Sequence, residues 1–321
     1  MMKALLVTRE SPSVPTQLSF TTLPKPSLKP GYALVKIRAA AINPSDVLNS
    51  KGNFPHTVFP RIPGRDFAGV VEDGPAELIG KAVFGTSGNQ LSYTEDGTHA
   101  EYALVPAEAL ALKPSTLTFA QAATLGVPWS TANIALSRGG AKTGEIVLVI
   151  GATGAVGQAA VELAQVKGCK AITASRRDTT DINLLKDPEF SKVKELTNGH
   201  GVDVVIDTVG DHVIMRSILD HALAVRGRLS YIAARANHTE LTFDMKQLYR
   251  NEQSIVGCNS VNYTAKEMGE CLQSIVPEFE KGTLTACADD KLVKVNLGQE
   301  AVDAYKWVPE HSGEKVIICI D

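Results

Sequence analysis

The sequence predicts an α/β protein in which a mainly β region precedes a doubly wound domain with a parallel sheet. The chain has 321 residues, enough for about two domains. Its first part consists of short β-like runs broken by Pro and Gly, whereas strand and helix patterns alternate from Glu145 onward. The predicted organisation is 1–117 for the first domain, 118–260 for the second, and 261–321 for a C-terminal segment that returns to the first.

The N-terminal region begins with residues 1–8, which have the pattern of a first strand. They lack the long apolar stretch and the small-residue cleavage site of a signal peptide. Runs such as 32–37 and 69–71 are typical of an antiparallel, barrel-like region. The pattern changes at Thr118, where a capped helix is predicted to start.

The second region alternates strands and helices. Residues 146–150 are continuously apolar, as in a strand covered on both faces, and a helix over 155–167 follows. Val156, Ala160 and Leu163 share the helix face expected to pack on the sheet, with Ala159 and Val166 beside it. Later strands are predicted at 171–175, 202–207, 228–233 and 254–257, helices at 211–222 and 245–250, and one amphipathic helix and a strand at 316–320 in the tail. This alternation predicts a parallel sheet with right-handed crossovers.

Composition and charge exclude several classes of partner. The net charge is −3 and no basic patch interleaved with aromatic residues is present, so no nucleic-acid partner is expected. No run approaches the roughly 18 apolar residues that a membrane helix needs. The five cysteines are far apart, odd in number and without CxxC spacing, which favours reduced thiols. We therefore expect a cytoplasmic protein without a membrane partner.

A glycine-rich motif directly follows the strand at 146–150 and opens the next helix. Gly151 permits a tight turn, Gly154 lets the backbone approach a pyrophosphate, and Gly157 lets the helix pack closely on the strand. The helix N-terminus then offers N–H groups and a positive dipole to phosphates. The alternative is a tight turn without a ligand. The predicted cofactor loop consists of Gly151, Thr153, Gly154, Ala155, Val156 and Gly157.

The end of the second strand indicates which cofactor is bound. NAD enzymes usually carry an acidic residue there, which binds the ribose 2′-hydroxyl. This chain has Ser175, Arg176 and Arg177, and a hydroxyl with two guanidinium groups suits a 2′-phosphate. The sequence therefore favours NADPH, and the alternative is a solvated loop with two ordinary arginines.

Several segments, by their order and spacing, resemble the medium-chain dehydrogenase/reductase superfamily, specifically its zinc-free quinone oxidoreductase-like branch. The resemblance covers nearly the whole chain and rests on segments 41–46, 62–71, 97–102, 127–132, 151–157 and 201–210. It implies a GroES-like substrate domain, a Rossmann domain and a cleft between them. It also implies hydride transfer from NADPH to a conjugated carbonyl substrate, and leaves a homodimer open.

The resemblance further implies roles for single residues. Asn43 and Asp46 of the Asn-Pro-x-Asp motif, together with Thr131, would lie near the nicotinamide as catalytic residues. Lys315 would approach the cofactor phosphates. Further cofactor contacts, largely through backbone, would come from Val209, Ala233, Cys258 and Asn259. Read without the family, Asn43 would start a turn and Asp46 would cap a helix.

The chain departs from zinc-dependent relatives where those proteins bind the metal. They place a Cys near Pro44 or Ser45 and a Gly-His-Glu near Gly64, but this chain has Ser45 and Gly64-Arg65-Asp66. A catalytic zinc needs about three N, S or O ligands. The four-cysteine structural lobe is also missing, and His56 and His99 are isolated loop histidines. We expect no metal.

The chain also departs from other quinone oxidoreductases. Those relatives often carry tyrosines where Leu48 and Phe54 align here, so a tyrosine acid at these positions is excluded. Protonation of the reduced substrate is left to water or to Tyr93, Tyr102 or Tyr263.

The segment after Arg177 is short as well. Only 178–180 separate it from the next apolar run, although a parallel crossover usually needs a dozen or more residues. We expect a shortened or lost helix, a damaged third strand and a more open adenosine side of the cofactor site.

Three functions are compatible with these observations. The leading one is reduction of a quinone, enone or enal, because a zinc-free site can supply hydrogen-bond donors to the developing oxyanion from Asn43 and Thr131. A second is reduction of an enoyl thioester in a biosynthetic pathway, which differs only in substrate. A third is a cofactor-binding sensor or crystallin-like protein without turnover, which the missing tyrosines favour slightly.

Overall fold

The computed structural model describes residues 1–86, 88–311 and 313–320. They form two compact units. Unit 1 contains residues 1–130 and 260–321, and unit 2 contains residues 131–259, in each case within the described part of the chain. The segment 118–130, predicted to open the second domain, therefore groups with unit 1.

Strands and helices follow one another along the described part of the chain. The strands are β1 (Met2–Thr8), β2 (Gln17–Leu23), β3 (Tyr32–Ile42), β4 (Asp66–Asp73), β5 (Ala82–Gly85), β6 (Tyr102–Pro106), β7 (Ala111–Leu112), β8 (Ile146–Ile150), β9 (Lys170–Ser175), β10 (Ile182–Asn183), β11 (Val202–Asp207), β12 (Leu223–Tyr231), β13 (Ser254–Gly257), β14 (Leu292–Asn296) and β15 (Lys315–Cys319). The helices are α1 (Pro44–Ser50), α2 (Phe119–Ala123), α3 (Gly126–Arg138), α4 (Ala155–Val166), α5 (Ser191–Leu196), α6 (His212–Ser217), α7 (Met245–Arg250), α8 (Ala265–Glu280) and α9 (Gln299–Trp307).

Unit 1 is built on a mainly antiparallel sheet. Its strand order is β14-β15-β3-β4-β5-β7, with β6 paired to β3, while β1 pairs antiparallel with β2. The long strand β3 lies in the middle, and its apolar side chains belong to the core of the unit. Antiparallel pairing of β15 with β3 joins the C-terminal segment to this sheet. The predicted return of the last strand is thus confirmed.

Helix α2 shows why unit 1 extends past residue 117. The Thr118 hydroxyl caps the helix by accepting the Gln121 N–H at 3.1 Å, as the sequence predicts. The helix buries Ala120, Ala122 and Ala123, and it contacts β3 and β4. Its apolar face is covered by the antiparallel sheet, so the helix belongs to the first unit.

Unit 2 contains a parallel sheet with the strand order β10-β9-β8-β11-β12-β13. Numbered from β8 as the first strand, this is the order 3-2-1-4-5-6 of doubly wound dinucleotide-binding folds. The predicted α/β class and parallel sheet are confirmed. In sheets of this kind ligands bind outside the carboxyl ends of the strands.

Helix α4 packs on this sheet through small residues. Ala159, Ala160 and Leu163 are buried as predicted, whereas Val166 is 41% exposed, so its predicted place beside the packing face was wrong. Val166 is the last helical residue, where the helix end turns toward solvent. Strand β12 ends at Tyr231, so Ala233 lies in the loop after the strand and not within it.

The connection after β9 is as short as the sequence predicts. The described residues between β9 and β10 contain no helix, and β10 has only two residues, which pair parallel with Ala174 and Ser175. A full crossover helix does not fit into so few residues.

The C-terminal segment contains more secondary structure than predicted, because it has two longer helices, α8 and α9, with strand β14 between them. Helix α9 has nine residues, and its buried face consists of Ala301, Val302, Ala304 and Tyr305. A face of two alanines with two larger residues gives only a weak apolar pattern, and for this reason the sequence did not reveal it. Within the described ranges, none of the helices combines the length and apolar character needed to cross a membrane.

Candidate active site

The glycine loop of unit 2 is sterically determined at two positions. Gly151 has φ +76°, and a Cβ there would lie 2.3 Å from the Thr208 hydroxyl oxygen. A Cβ on Gly157 would lie 2.2 Å from the Gly151 carbonyl oxygen and 2.8 Å from the Ala152 Cα. Since these distances are far below van der Waals contact, only glycine allows strand β8, the loop and helix α4 to approach so closely.

Gly154 differs from the other two glycines. It is the N-cap of α4 with φ −85°, and no side chain caps the helix there. A Cβ would meet only the Gly151 carbonyl oxygen, at 3.4 Å. Gly154 therefore leaves space beside the N-terminus of α4, and a helix N-terminus is the arrangement that binds phosphate through backbone N–H groups.

The other predicted cofactor residues of unit 2 follow the carboxyl ends of neighbouring strands. Val209 follows β11, Ala233 follows β12, and Cys258 and Asn259 follow β13. Because the strands are parallel, these residues lie at the same edge of the sheet as the glycine loop.

Asp207 and Cys258, which lie at the carboxyl ends of strands in unit 2, have buried side chains that contact protein groups. The fully buried Asp207 accepts the N–H groups of Val209 and Gly210 at 2.8 and 3.2 Å, and burial raises its pKa. Cys258 is 8% exposed, and its thiol lies 3.2 Å from the Ser230 hydroxyl. The side chain of Cys258 therefore packs inside unit 2 and its N–H donates to the Tyr231 carbonyl oxygen at 2.9 Å, and its contact with a cofactor stays a prediction.

Thr131 begins unit 2 and lies within helix α3. It is 8% exposed, and its hydroxyl has no hydrogen-bond partner among the described residues. A buried hydroxyl without a partner is unfavourable, and such groups commonly await a ligand or water.

Ser175 ends β9 and holds the turn that carries the arginines. Its hydroxyl oxygen accepts the Arg177 N–H at 3.0 Å and lies 3.1 Å from the Thr180 hydroxyl oxygen. Arg176 and Arg177 are exposed, so their guanidinium groups can reach an anion. Beyond them the shortened connection borders a polar cavity of about 350 Å³, in which Lys186 pairs with Asp178 at 2.6 Å.

In unit 1, the predicted residues Asn43 and Asp46 meet at the start of helix α1. Asn43 is the N-cap and half-buried, and its backbone N–H donates to the Asp46 carboxylate at 2.9 Å. Asp46 has no exposed surface, and its other oxygen accepts from the Arg65 guanidinium at 2.9 Å. Both carboxylate oxygens of Asp46 thus hold the cluster together, and its predicted place near the nicotinamide stays a prediction.

Arg65 is the cation of this cluster. It is 3% exposed, also contacts the Ser45 hydroxyl, and lies with its guanidinium carbon 5.8 Å from the centre of the Tyr93 ring. Burial lowers the pKa of the Arg65 guanidinium, but its interactions with Asp46 first, and then with Tyr93 and Asp66, outweigh burial and raise that pKa.

Asp66, the first residue of β4, is the second buried carboxylate of the cluster. One oxygen accepts the Thr86 hydroxyl at 2.5 Å, the other accepts the Asn43 side-chain amide at 2.8 Å, and both accept the Val127 N–H at 2.8–2.9 Å. Burial, followed by repulsion from Asp46, raises the pKa of Asp66 to about 6, although Arg65, Thr86 and Val127 oppose the shift.

His99 completes the buried polar part of unit 1. Its Nε2 lies 3.0 Å from the Ala41 carbonyl oxygen and its Nδ1 lies 2.9 Å from the Tyr305 hydroxyl. Burial lowers the pKa of His99, so the ring is held neutral. Both ring nitrogens have partners, and His99 is therefore a satisfied core histidine.

The described residues of unit 1 do not provide a set of side chains that suits a zinc ion. The described ranges contain no group of three or more His, Cys, Asp or Glu side chains arranged to hold a metal. At the positions where zinc-dependent relatives carry ligands, the chain has Ser45 and the buried guanidinium of Arg65, which repels a metal cation.

The possible tyrosine donors are placed differently from one another. Tyr93 is fully buried, and its hydroxyl has no hydrogen-bond partner among the described residues. Tyr102 is half-buried below the Lys25 ammonium, which lies 3.8 Å from the ring centre, and Tyr263 is half-buried. Lys315 is the half-buried first residue of β15 in unit 1, and its approach to a cofactor phosphate stays a prediction.

Sequence reasoning missed the part that Asp66 and Thr86 take in the cluster, and it treated Arg65 only as a missing zinc ligand. A signal was present, because a charged Arg65-Asp66 pair directly precedes the apolar run at 67–71. Charged residues at the start of a buried strand are expected to be paired.

Two family models match the chain. Residues 29–115 match an alcohol dehydrogenase GroES-like domain, and residues 155–275 match a zinc-binding dehydrogenase model.

Similar proteins cover most of the chain. A zinc-type alcohol dehydrogenase-like protein from Schizosaccharomyces pombe is 46% identical over 319 residues, which is 99% of this chain and 97% of that protein. The quinone oxidoreductase of Pongo abelii is 29% identical over 278 residues, covering 81% and 80% of the two chains. The crystal structure of an alcohol dehydrogenase superfamily protein from Novosphingobium aromaticivorans matches all of both chains with a TM-score of 0.85 and 26% identity.

Proposed function

Because this chain belongs to the medium-chain dehydrogenase/reductase superfamily, in its quinone oxidoreductase-like branch, we propose that it is a zinc-independent reductase that transfers a hydride from NADPH to a conjugated carbonyl acceptor. The observation that carries the proposal is the buried Arg65–Asp46 ion pair at 2.9 Å. A site without a Lewis acid suits an acceptor that is already electrophilic, such as a quinone, enone or enal, and for which hydrogen bonds to the oxygen suffice.

The fit of unit 2 to a dinucleotide supports the cofactor part of the proposal. The open loop at Gly154 would hold the pyrophosphate, and the unpartnered hydroxyl of Thr131 would bond the nicotinamide. When bound, a reduced nicotinamide supplies the hydride. The residues of unit 2 bind it and orient it at the carboxyl edge of the sheet.

In unit 1, Asn43 is the residue proposed to act on the acceptor. Its side-chain nitrogen has two N–H groups, of which one donates to Asp66, and the other is available for an acceptor oxygen. This bond strengthens as negative charge develops on that oxygen, which lowers the barrier. With Tyr93 buried and Leu48 and Phe54 at the aligned positions, we propose water as the proton source.

The preference for NADPH is proposed from Arg176 and Arg177, which are exposed beside the Ser175 turn. Changing both arginines to Ala should weaken NADPH binding by about tenfold or more and leave NADH binding nearly unchanged, because hydrogen bonds to charged groups contribute about 1.5–3 kcal/mol. Equal losses for the two cofactors, or a native preference for NADH, would contradict the assignment.

The activity is tested by following NADPH consumption with a panel of quinones, enals and enoyl thioesters, before and after treatment with a chelator. Turnover of quinones or enals that survives chelation, together with no bound zinc by elemental analysis, is the expected result. Turnover of enoyl thioesters alone would indicate the biosynthetic reductase. NADPH binding without turnover of any acceptor would indicate a sensor or crystallin-like protein, and about one tightly bound zinc per chain would contradict the proposal.

A further inference from the structure

The carboxylate of Asp66 connects several structural elements of unit 1, including the segment that carries Asn43. Asp66 has no exposed surface, and its carboxylate accepts hydrogen bonds from three different parts of unit 1: Asn43 before α1, Thr86 after β5, and Val127 in the first turn of α3. A carboxylate at the junction of several elements fixes their side chains relative to one another.

Packing at Gly126 makes the position of Asp66 rigid. A Cβ on Gly126 would lie 2.2 Å from the Asp66 Oδ1, so the first turn of α3 is pressed directly onto the carboxylate. The backbone N–H of Val127 meets both oxygens, and the positive end of the helix dipole favours the charged form. Asp66 therefore has little freedom to rotate.

The direction of the hydrogen bond to Asn43 follows from the charge of Asp66. An ionised carboxylate can only accept, so the Asn43 atom at 2.8 Å must be the amide nitrogen. The amide is thereby fixed with its nitrogen toward Asp66, and its second N–H is the group left to offer. A protonated Asp66 would carry a donor of its own and would no longer specify this orientation.

We propose that Asp66 is a positioning residue that, in its ionised form, sets the side-chain amide of Asn43 as a hydrogen-bond donor to the acceptor substrate. Its protonation releases the amide and lowers activity. The inference rests on the proposed function for its catalytic consequence, but the orientation of the amide is a property of unit 1 alone.

The surroundings of Asp66 place its titration within an accessible range. The pKa is raised to about 6, mainly by burial and then by Asp46, while Arg65, Thr86 and Val127 oppose the rise. The charged and titratable groups that face Asp66 are Asp46 on α1, Arg65 next to it in the chain, and Tyr93 in the loop after β5. Activity should therefore fall about tenfold per pH unit below about 6.

The test observes the Asn43 amide directly. In protein labelled with ¹⁵N at asparagine, the side-chain signal of Asn43 is identified by its loss in Asn43→Ala and followed from pH 5 to 8 without cofactor or acceptor. We expect a transition near pH 6 that is absent in Asp66→Asn and that moves to higher pH in Thr86→Val, because that variant removes a donor to the carboxylate. Asp73→Asn, at the exposed end of the same strand, and His56→Gln, whose ring lies 4.6 Å from Tyr93, should leave it unchanged.

The same pH series of kcat with NADPH and a competent quinone links the amide to the reaction. An acidic limb with the same midpoint, shifted in the same direction by Thr86→Val, supports the proposal. An Asn43 signal that does not titrate, or that titrates equally in Asp66→Asn, overturns it. If the amide titrates as expected but no acceptor is reduced, the positioning by Asp66 stands and the proposed reductase function fails.

Discussion

The two candidate sites of this chain are constructed by opposite means. In unit 2 the site is mainly backbone: a glycine loop and the residues that follow parallel strands, within one edge of one sheet. In unit 1 it is a cluster of buried charged and polar side chains around Arg65 and Asp66. The site in unit 2 depends on close approach of backbone segments, so a larger side chain in the glycine loop should disrupt it. The site in unit 1 depends on the balance of buried charges, so removing one charged partner or changing the pH should disrupt it.

The largest effect is expected from unpairing the cluster of unit 1. Arg65→Met leaves the carboxylate of Asp46 buried without its cation, and the loss of one partner of a buried ion pair costs about 3–5 kcal/mol. Urea unfolding monitored by tryptophan fluorescence would measure it. The matched control is Arg226→Gln in the exposed Arg226–Glu252 pair, which should leave the midpoint unchanged within error.

The double variant Arg65→Met with Asp46→Asn sharpens this result. Removing both charges should recover most of the lost stability, because the penalty comes from the unpaired charge and not from the missing bond. Equal instability of the single and double variants would mean that Arg65 acts through packing, and the contrast with unit 2 would disappear.

The second effect is a pH dependence specific to unit 1. The pKa of Asp66 is raised from 3.8 to about 6, so below about pH 4 both the folded and unfolded forms are protonated and folding carries no penalty from this group. As the pH rises from about 4 to 6, the folded protein holds the proton longer than the unfolded chain, and the free energy of unfolding falls by about 3 kcal/mol. Comparing the native chain with Asp66→Asn by urea unfolding across this window should show that difference. A constant difference would argue against the raised pKa.

The third effect tests steric control in unit 2. Gly157→Ala places a Cβ 2.2 Å from the Gly151 carbonyl oxygen, and the overpacking should cost about 1–3 kcal/mol and reduce NADPH binding. Gly154→Ala is the matched variant, because its Cβ meets only one atom at 3.4 Å. It should keep the melting temperature and still weaken NADPH binding if phosphate lies against the loop. Similar melting temperatures for the two variants would show that the glycine loop can shift to accommodate the added Cβ at position 157.

The smallest effect concerns a single hydroxyl of unit 2. Thr131→Val removes the buried hydroxyl that has no partner among the described residues, so the cofactor-free protein should keep its stability or gain slightly. The dissociation constant of NADPH should rise roughly two- to tenfold, as for the loss of one hydrogen bond of about 0.5–1.5 kcal/mol. Isothermal titration calorimetry measures the binding. A destabilised free protein with unchanged affinity would make Thr131 an ordinary core residue.

The contrast between the two sites also explains what could be predicted from the sequence. The glycine loop, the strand ends and the short connection after β9 are each encoded within a few consecutive residues, and their local pattern predicts them. The strand β15 was predicted equally well, because 316–320 are continuously apolar.

The cluster of unit 1 was predicted only in part. Asn43 and Asp66 are 23 residues apart, and Val127 is 61 residues from Asp66, so no spacing rule joins them. Their contact depends on the pairing of β3 with β4 and on the packing of the first turn of α3 against Asp66, and both are tertiary interactions. The predicted domain limit at 117 differs from the limit of unit 1 at residue 130 for the same reason, since only packing on β3 and β4 groups α2 with unit 1.

The short strand β10 has a consequence for the behaviour of the protein in concentrated solution. Because β10 has only two residues, most of β9 has no neighbouring strand on that side among the described residues and forms an exposed edge of the sheet. Exposed sheet edges can pair with strands of other molecules and cause aggregation. The Asp181 carboxylate occupies part of this edge by accepting the Thr173 N–H at 2.8 Å and the Thr173 hydroxyl at 2.7 Å. Because the Asp181 carboxylate occupies the Thr173 N–H, an incoming strand cannot form a hydrogen bond there, and the negative charge disfavours its approach. The exposed edge that results from the short connection after β9 is thus protected against edge-to-edge association.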